Sequence, residues 1–239
     1  EWCVYVPCLK ERRFFVPSLR DGVGEVQGAE IIVVDGASTD GTDRLAAGFC
    51  DQVIRSGDRS RAKQMNVGAD AAGGDILWFL HADAEVPLES LNEIRRIMRE
   101  QKVCGGYFRI RLPQPAVYRL TDSFAHYAGL LLRIRCGDHG IFCRRTAFVD
   151  AGGFPNAPLM EDVEFFRRLH RYGRVLYSSK RIVISPRRYE AVGPFRLTFA
   201  YGLIATLYFF CAPFPALARI YQRSCCSAES RNPQGKALS

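Results

Sequence analysis

Four clusters in the chain combine residue types able to handle phosphate, metal or protons. Val34-Asp35-Gly36-Ala37-Ser38-Thr39-Asp40-Gly41-Thr42 sets one carboxylate directly after an apolar run and a second further along the same turn. A carboxylate placed like Asp35 can accept hydrogen bonds from a base or ribose, whereas Asp40, like Thr42, also suits the plain role of helix capping. Leu80-His81-Ala82-Asp83 offers an imidazole and a carboxylate at alternate positions. On extended chain such residues face the same way, so His81 and Asp83 can meet one divalent cation. Met160-Glu161-Asp162 opens a helical pattern. There a carboxylate can act as general base toward an acceptor hydroxyl, or can merely complement the helix dipole. Arg167 and Arg168, a turn or two later, can reach a phosphate or can line a solvated face. The basic stretch Arg59 to Ala69 carries Arg61, Lys63, Gln64 and Asn66. Asn66 and Gly68 are poor helix formers, so Gly68 predicts tight packing or close backbone approach. His126, His139 and His170 stand alone and read as structural.

These clusters need elements to position them. Cys3-Val4-Tyr5-Val6, Ile31-Ile32-Val33-Val34 and Ile76 to Leu80 are continuous apolar runs, while Arg12 to Arg20, Thr42 to Phe49 and Ala62 to Ala72 have helical spacing. Strands of that kind separated by helices predict a parallel sheet covered on both faces. Ligands of such sheets sit beyond the carboxyl ends of the strands. Those ends are Lys10-Glu11, Asp35 to Thr42 and His81 to Asp83, and all three are polar or acidic. Downstream, the pattern predicts a helix over 88–101, an edge strand pair within 104–112, a loop at 152–155 and a helix over 161–172. Short strands follow at 175–177 and 182–184, and the polar residues after Ser224 read as a disordered tail.

Composition bounds the answer. At 239 residues the chain is one large domain or two small ones, and 48% hydrophobic with 24% charged residues excludes disordered, collagenous and coiled-coil classes. A net charge of +8 favours anionic partners without choosing among them. Nine cysteines, with no Cys-x-x-Cys, give neither a zinc spacing nor a disulfide framework. Cys3, Cys104 and Cys143 read as core, which points to free thiols in a reducing, cytoplasmic setting. The run Trp2 to Pro7 is too short for a signal peptide. Leu197 to Ala218 holds no charge over 22 positions, but Gly202, Pro213 and Pro215 interrupt it. Its cleanest part, 203–212, has the length of a buried core helix. Helices packed on the main domain and touching a membrane peripherally are expected there, rather than a span.

Taken in order, Val6-Pro7-Cys8-Leu9-Lys10-Glu11, Val34 to Thr42, Leu80 to Asp83 and Met160 to Asp162 resemble the family 2 glycosyltransferases, whose catalytic domain has the GT-A fold. The resemblance runs over residues 3–221. Within it, Arg61 to Ala69 and the Leu217-Ala218-Arg219-Ile220-Tyr221 ending look like the subgroup found near radical-SAM and arsenosugar-type biosynthetic genes. The resemblance implies an α/β GT-A domain over 1–194, with a mixed, mostly parallel central sheet flanked by helices. A helical C-terminal extension over 195–223 and a tail over 224–239 would follow. It implies transfer of a sugar from a nucleoside diphosphate donor, a UDP-sugar foremost, to an acceptor hydroxyl, with inversion and a divalent cation (Mn²⁺ or Mg²⁺). Asp162 would then be the base, with Glu161 orienting it or the acceptor. Asp83 and His81 would hold the metal. Pro7, Glu11, Asp35, Asp40, Arg61, Lys63, Gln64, Asn66, His81, Ala82, Arg167 and Arg168 would line the substrates.

Two departures stand out. Lys10 replaces the family's usual Asn before the glutamate, and His81 stands where the first of two aspartates is common. Imidazole suits Mn²⁺ better than Mg²⁺. Two other classes compete. A nucleotidyltransferase would carry a Gly-rich basic loop where Pro7 to Glu11 stands. A nucleic-acid module would cluster bases with aromatics, whereas the arginines here are spread along the chain, so no nucleic acid is expected as partner. The acceptor is not named by any motif; its pocket falls to residues 114–134.

Overall fold

Strand β2, Ala29–Asp35, shows how the sheet is forced inside. Its apolar residues alternate between two separate cores: Ile31 and Val33 pack on one face, Ile32 and Val34 on the other. β4, Ile76–Phe79, does the same, with Ile76 and Trp78 on one side and Leu77 and Phe79 on the other. A strand apolar on both faces can only lie between two covering layers. The protein's computed structural model describes residues 2–8, 29–87, 89–112, 129 and 134–226. The expected helix over 12–20, Glu11, nearly all of the acceptor stretch and the tail beyond 226 lie outside the described residues.

The remaining strands are β1 (Trp2–Cys8), β3 (Gln52–Arg55), β5 (Val103–Arg111), β6 (Phe142–Arg144) and β7 (Arg174–Val183). They join β2 and β4 in one sheet, ordered β3-β2-β1-β4-β6-β5-β7. β1 runs parallel to both β2 and β4, β3 runs parallel to β2, and β7 runs parallel to β5. Only β6, among the described strands, runs against its neighbours. The chain therefore winds outward from β1 to β3 and then returns to the other side of β1. That reversal makes a switch point at the carboxyl ends of β1 and β4, where sheets of this kind bind ligands. Because β6 is reversed, the segment leading into it arrives at the edge that β4 leaves. Trp78 pairs with Phe142, and Phe79 N donates to Ile141 O at 2.8 Å.

Helices α1 (Thr42–Ala46), α2 (Arg61–Ala71), α3 (Ser90–Met98), α4 (Arg145–Asp150) and α5 (Glu161–Leu169) fill the connections. α2 lies on β1 and β2, and α3 on β5 and β7. Two strand expectations change. β5 is not at an edge, since β6 and β7 flank it and Val103 to Phe108 are buried. The two short strands foreseen at 175–177 and 182–184 are one strand, β7. It stays continuous because an irregularity absorbs residues 179–180, and Ser178 Oγ bridges the gap by accepting from Lys180 N and donating to Glu93 Oε1.

At the C-terminal end follow α6 (Arg187–Val192), α7 (Pro194–Phe209) and α8 (Phe214–Tyr221). The expected core helix at 203–212 is displaced. α7 runs straight through Gly202 and stops only where Cys211 turns to φ 57° ahead of Pro213. A helical glycine costs only about 1 kcal/mol, whereas proline cannot continue the ladder. Ile204, Tyr208 and Leu217 pack on Met160 and Val163, so this layer sits directly on α5. Among the described residues no helix is long and apolar enough to cross a membrane.

Candidate functional site

At the end of β2 the chain curls back on itself. Asp35 is buried, and its carboxylate accepts from Ser38 N at 2.9 Å and from Ser38 Oγ. Ala37 adopts a positive φ of 65° to allow it. Asp40 Oδ1 accepts from Thr42 N at 3.1 Å and from Thr42 Oγ1 at 2.6 Å, so it braces the start of α1 from one residue before the N-cap, which is Gly41.

The loop before α2 closes against this one. Asp58 accepts from Ser60 N at 2.9 Å and from Lys63 Nζ at 2.5 Å, and these donors hold its carboxyl below the usual range. Gln64 is buried and donates Nε2 to Asp58 O at 3.2 Å. A Cβ on Gly36 would stand 2.0 Å from that same Nε2, so the glycine exists to let Gln64 through. Asn66 clamps the loop ahead of α5. Its Nδ2 donates to Phe154 O at 2.8 Å, and its Oδ1 accepts from Phe154 N at 2.9 Å. The structure thus places Lys63, Gln64 and Asn66 on protein partners that brace the loops.

The second half of the site is assembled from distant segments. Met160, at φ 66°, turns the chain sharply into α5. Glu161 Oε1 accepts from Arg61 Nε at 2.8 Å and Nη2 at 2.7 Å. Asp162 is buried beside it, with Oδ2 accepting from Gly137 N at 2.5 Å and Oδ1 from Val163 N at 2.7 Å. Gly137 passes so close to His81 that a Cβ there would lie 2.6 Å from His81 Nε2. The same ring nitrogen is 3.6 Å from Asp138 Oδ1, an ion pair when the imidazole is protonated. Arg61, His81, Gly137-Asp138 and Glu161-Asp162 therefore converge at the carboxyl edge of the sheet.

Burial raises the Asp162 carboxyl above the ordinary range, and the Glu161 charge raises it further, against Arg61 and the two backbone N–H groups. Burial pulls the Arg61 guanidinium down, but Glu161, Asp162 and Asp138 together more than offset this, so it stays protonated. A carboxylate of raised pKa, fixed by two hydrogen bonds and next to a permanent cation, is equipped to take a proton.

Gly137 and Asp138 carry no earlier expectation. Their only sequence signal is Cys136-Gly137-Asp138-His139-Gly140, a carboxylate between two glycines. His139 is structural as read: it is buried, with Nδ1 3.1 Å from Phe108 O. Arg167 and Arg168 point to protein. Arg167 Nη1 donates to Tyr208 OH at 3.0 Å, Arg168 Nε donates to Glu164 Oε1 at 3.0 Å, and the Tyr208 hydroxyl donates to Glu164 Oε2 at 2.8 Å. Pro7 pairs in register with Val34, and Ala82 is buried.

One geometric expectation is corrected. β4 ends at Phe79, and Ala84 N donates to His81 O at 3.1 Å, so 81–84 is a turn and not extended chain. The alternate-position argument for a shared His81–Asp83 cation fails there, because it needs a pleated strand. Among the described residues no three His, Cys, Asp or Glu side chains stand close enough to hold a metal ion by themselves.

Comparison with known proteins matches this architecture. Residues 3–150 match the family described as glycosyl transferase family 2. A search of curated protein sequences finds no match. Among solved structures, the mannosyltransferase PcManGT from Pyrobaculum calidifontis, in complex with GDP-Man and Mn²⁺, superposes with a TM-score of 0.67 at 19% identity, covering 99% of this chain and 76% of that one. Residues 1–349 of S. aureus TarS give 0.61 at 18% identity, over 83% of this chain and 64% of that one. The same protein in complex with UDP-GlcNAc gives 0.61 at 17%, over 77% and 58%. The chain thus spans less than two thirds of the TarS chains. The shared architecture is the GT-A fold.

Proposed function

The chain belongs to glycosyl transferase family 2, and we propose that it moves a sugar from a nucleoside diphosphate donor to an acceptor hydroxyl, with Asp162 as the base. The observation that carries this reading is the buried Asp162 carboxylate, held by Gly137 N and Val163 N beside Arg61 at the sheet's carboxyl edge. The nucleoside end falls to the β2 loop. Asp35 would accept from a ribose or base there, beside the Ser38 donors. The acceptor O–H gives its proton to Asp162 as its oxygen attacks the anomeric carbon. The bond to the diphosphate breaks with its electron pair on the departing oxygen, and a single displacement inverts the anomeric centre. Glu161 holds the Arg61 guanidinium in place through two bonds.

Asp83 would hold a divalent cation, with substrate phosphates filling the other positions, since such sites take one or two protein ligands plus phosphate oxygens. When bound, the cation would offset charge on the leaving diphosphate. A UDP-sugar is the donor this reading favours, and the Arg61 to Ala69 segment supports placement in the radical-SAM and arsenosugar-associated subgroup. The test is calorimetric titration with UDP-GlcNAc, GDP-Man and their parent diphosphates, with and without Mn²⁺. Saturable binding of one pair, weakened in Asp35→Ala, supports the reading. Loss of its Mn²⁺ dependence in Asp83→Asn supports the cation site. Failure of all four compounds to bind overturns the donor assignment.

A further inference from the structure

Helix α7 is apolar on both sides, and the fold uses one of them. Leu197, Ala200, Ile204 and Tyr208 face inward and are buried. With 3.6 residues per turn, Phe195, Phe199, Leu203 and Phe210 fall on the opposite side, where they are 77%, 73%, 39% and 81% exposed. Phe209 flanks them and is half exposed. Single exposed apolar residues are ordinary, but several large apolar side chains along one side of a helix mark a surface meant to be covered.

The charge around the stripe selects the cover. From Ala191 to Ser224 the chain has Arg196, Arg219 and Arg223 and no Asp or Glu. All three arginines are exposed. The pairing of two copies through this face would bring their Arg196 side chains close with no carboxylate from the segment to offset them. A bilayer with anionic headgroups accepts both features: aromatic rings at the boundary of the acyl chains and arginines at the phosphates. α7 has 16 residues, about 24 Å at 1.5 Å each, which is too short to cross a hydrocarbon core of about 30 Å. We propose that the outer face of α7 docks the protein flat on an anionic phospholipid bilayer. Docking requires no rearrangement, since the inner face is already fixed to Met160 and Val163 and the Tyr208 hydroxyl bridges Glu164 and Arg167 of α5.

The test is co-sedimentation of the full chain with vesicles of phosphatidylcholine alone and of phosphatidylcholine with one quarter phosphatidylglycerol. The chain is expected to pellet with the anionic vesicles. Phe195→Ser/Phe199→Ser/Phe210→Ser removes only exposed rings and should weaken binding at least about tenfold while leaving the melting temperature unchanged. Arg196→Gln and Arg219→Gln should each weaken binding to the anionic vesicles about fivefold and leave binding to neutral ones as it was; this pair keeps the test decisive should the triple variant misfold. A chain that stays in the supernatant with anionic vesicles overturns the proposal. So does a triple variant that binds like the parent. A dimer in sedimentation velocity that the triple variant dissolves, with no vesicle binding, assigns the face to a second copy and equally overturns it.

Discussion

The two halves of the site are built on opposite plans. Around Asp35 the loops are braced by local side-chain bonds: Ser38 lies three positions on, Asp40 bonds Thr42 two positions on, and Lys63 reaches back five to Asp58. Around Asp162, beside the local bond from Val163 N, they are remote. Gly137 is 25 positions away, and Arg61 is 100 positions from the Glu161 it holds. Bonds of the first kind span a few residues of one loop. A carboxylate fixed by distant segments has its geometry, and its affinity for protons, set by the fold as a whole. Damage to the first half should therefore stay local, and damage to the second should reach the chemistry.

The largest effect expected is on the remote half. Asp162→Asn should lower kcat by about 10²–10⁴-fold, since an amide cannot take the acceptor's proton. Both carboxylate oxygens accept backbone N–H groups, so the new amide NH₂ must oppose one of them. That should cost about 1–3 kcal/mol in urea unfolding. Turnover close to the parent's would reduce Asp162 to a helix-end charge and break the comparison.

Next in size is Gly36→Ala, at the junction between the β2 loop and α2. Its Cβ meets Gln64 Nε2 at 2.0 Å, and crowding of this kind typically costs about 1–3 kcal/mol. Combining it with Gln64→Ala should recover part of that loss, a coupling that a thermal-melt double-mutant cycle measures directly.

The acid limb of kcat/KM should sharpen the contrast further. Only ionised Asp162 accepts a proton, so the rate climbs with pH through its pKa. Arg61 lowers that pKa and Glu161 raises it. Arg61→Met should therefore move the limb to higher pH, and Glu161→Gln should move it to lower pH. A limb that stays put in both variants would show that another group controls proton transfer. The smallest effect belongs to the local half. Ser38→Ala removes the hydroxyl donor to Asp35 but keeps the backbone one, so stability should fall by about 0.5–1.5 kcal/mol, with the acid limb unmoved.

The same division explains what the sequence disclosed. The runs Ile31 to Val34 and Ile76 to Leu80 announced interior strands, and the acids at 35 and 161–162 announced themselves, because run length and strand-end position are local properties. Asp138 stayed hidden, since only the reversed β6 brings it to His81. The bonds that Gln64 and Asn66 make to Asp58 O and the Phe154 backbone were not legible, because backbone partners leave no side-chain signature. The turn at 81–84 was read as strand because the apolar run continues to Leu80, one residue past the last ladder pairing. α7 outran its forecast because packing on α5 tolerates Gly202.

The reversed strand β6 also dictates a timetable for folding. β1, β2, β3 and β4 pair among themselves, so the half of the sheet that bears Asp35 can form as soon as Phe79 has been made. The outer edge of β4 must then wait, because its partner Phe142–Arg144 comes after β5 in the chain. During that wait β4 presents an open, apolar edge of the kind that recruits foreign strands. Insertion of β6 seals it and carries Gly137 to Asp162 in the same motion. Pulse-labelled hydrogen exchange during refolding should show β2 protected before β6. The Asp162 half of the site would then form after the half that bears Asp35.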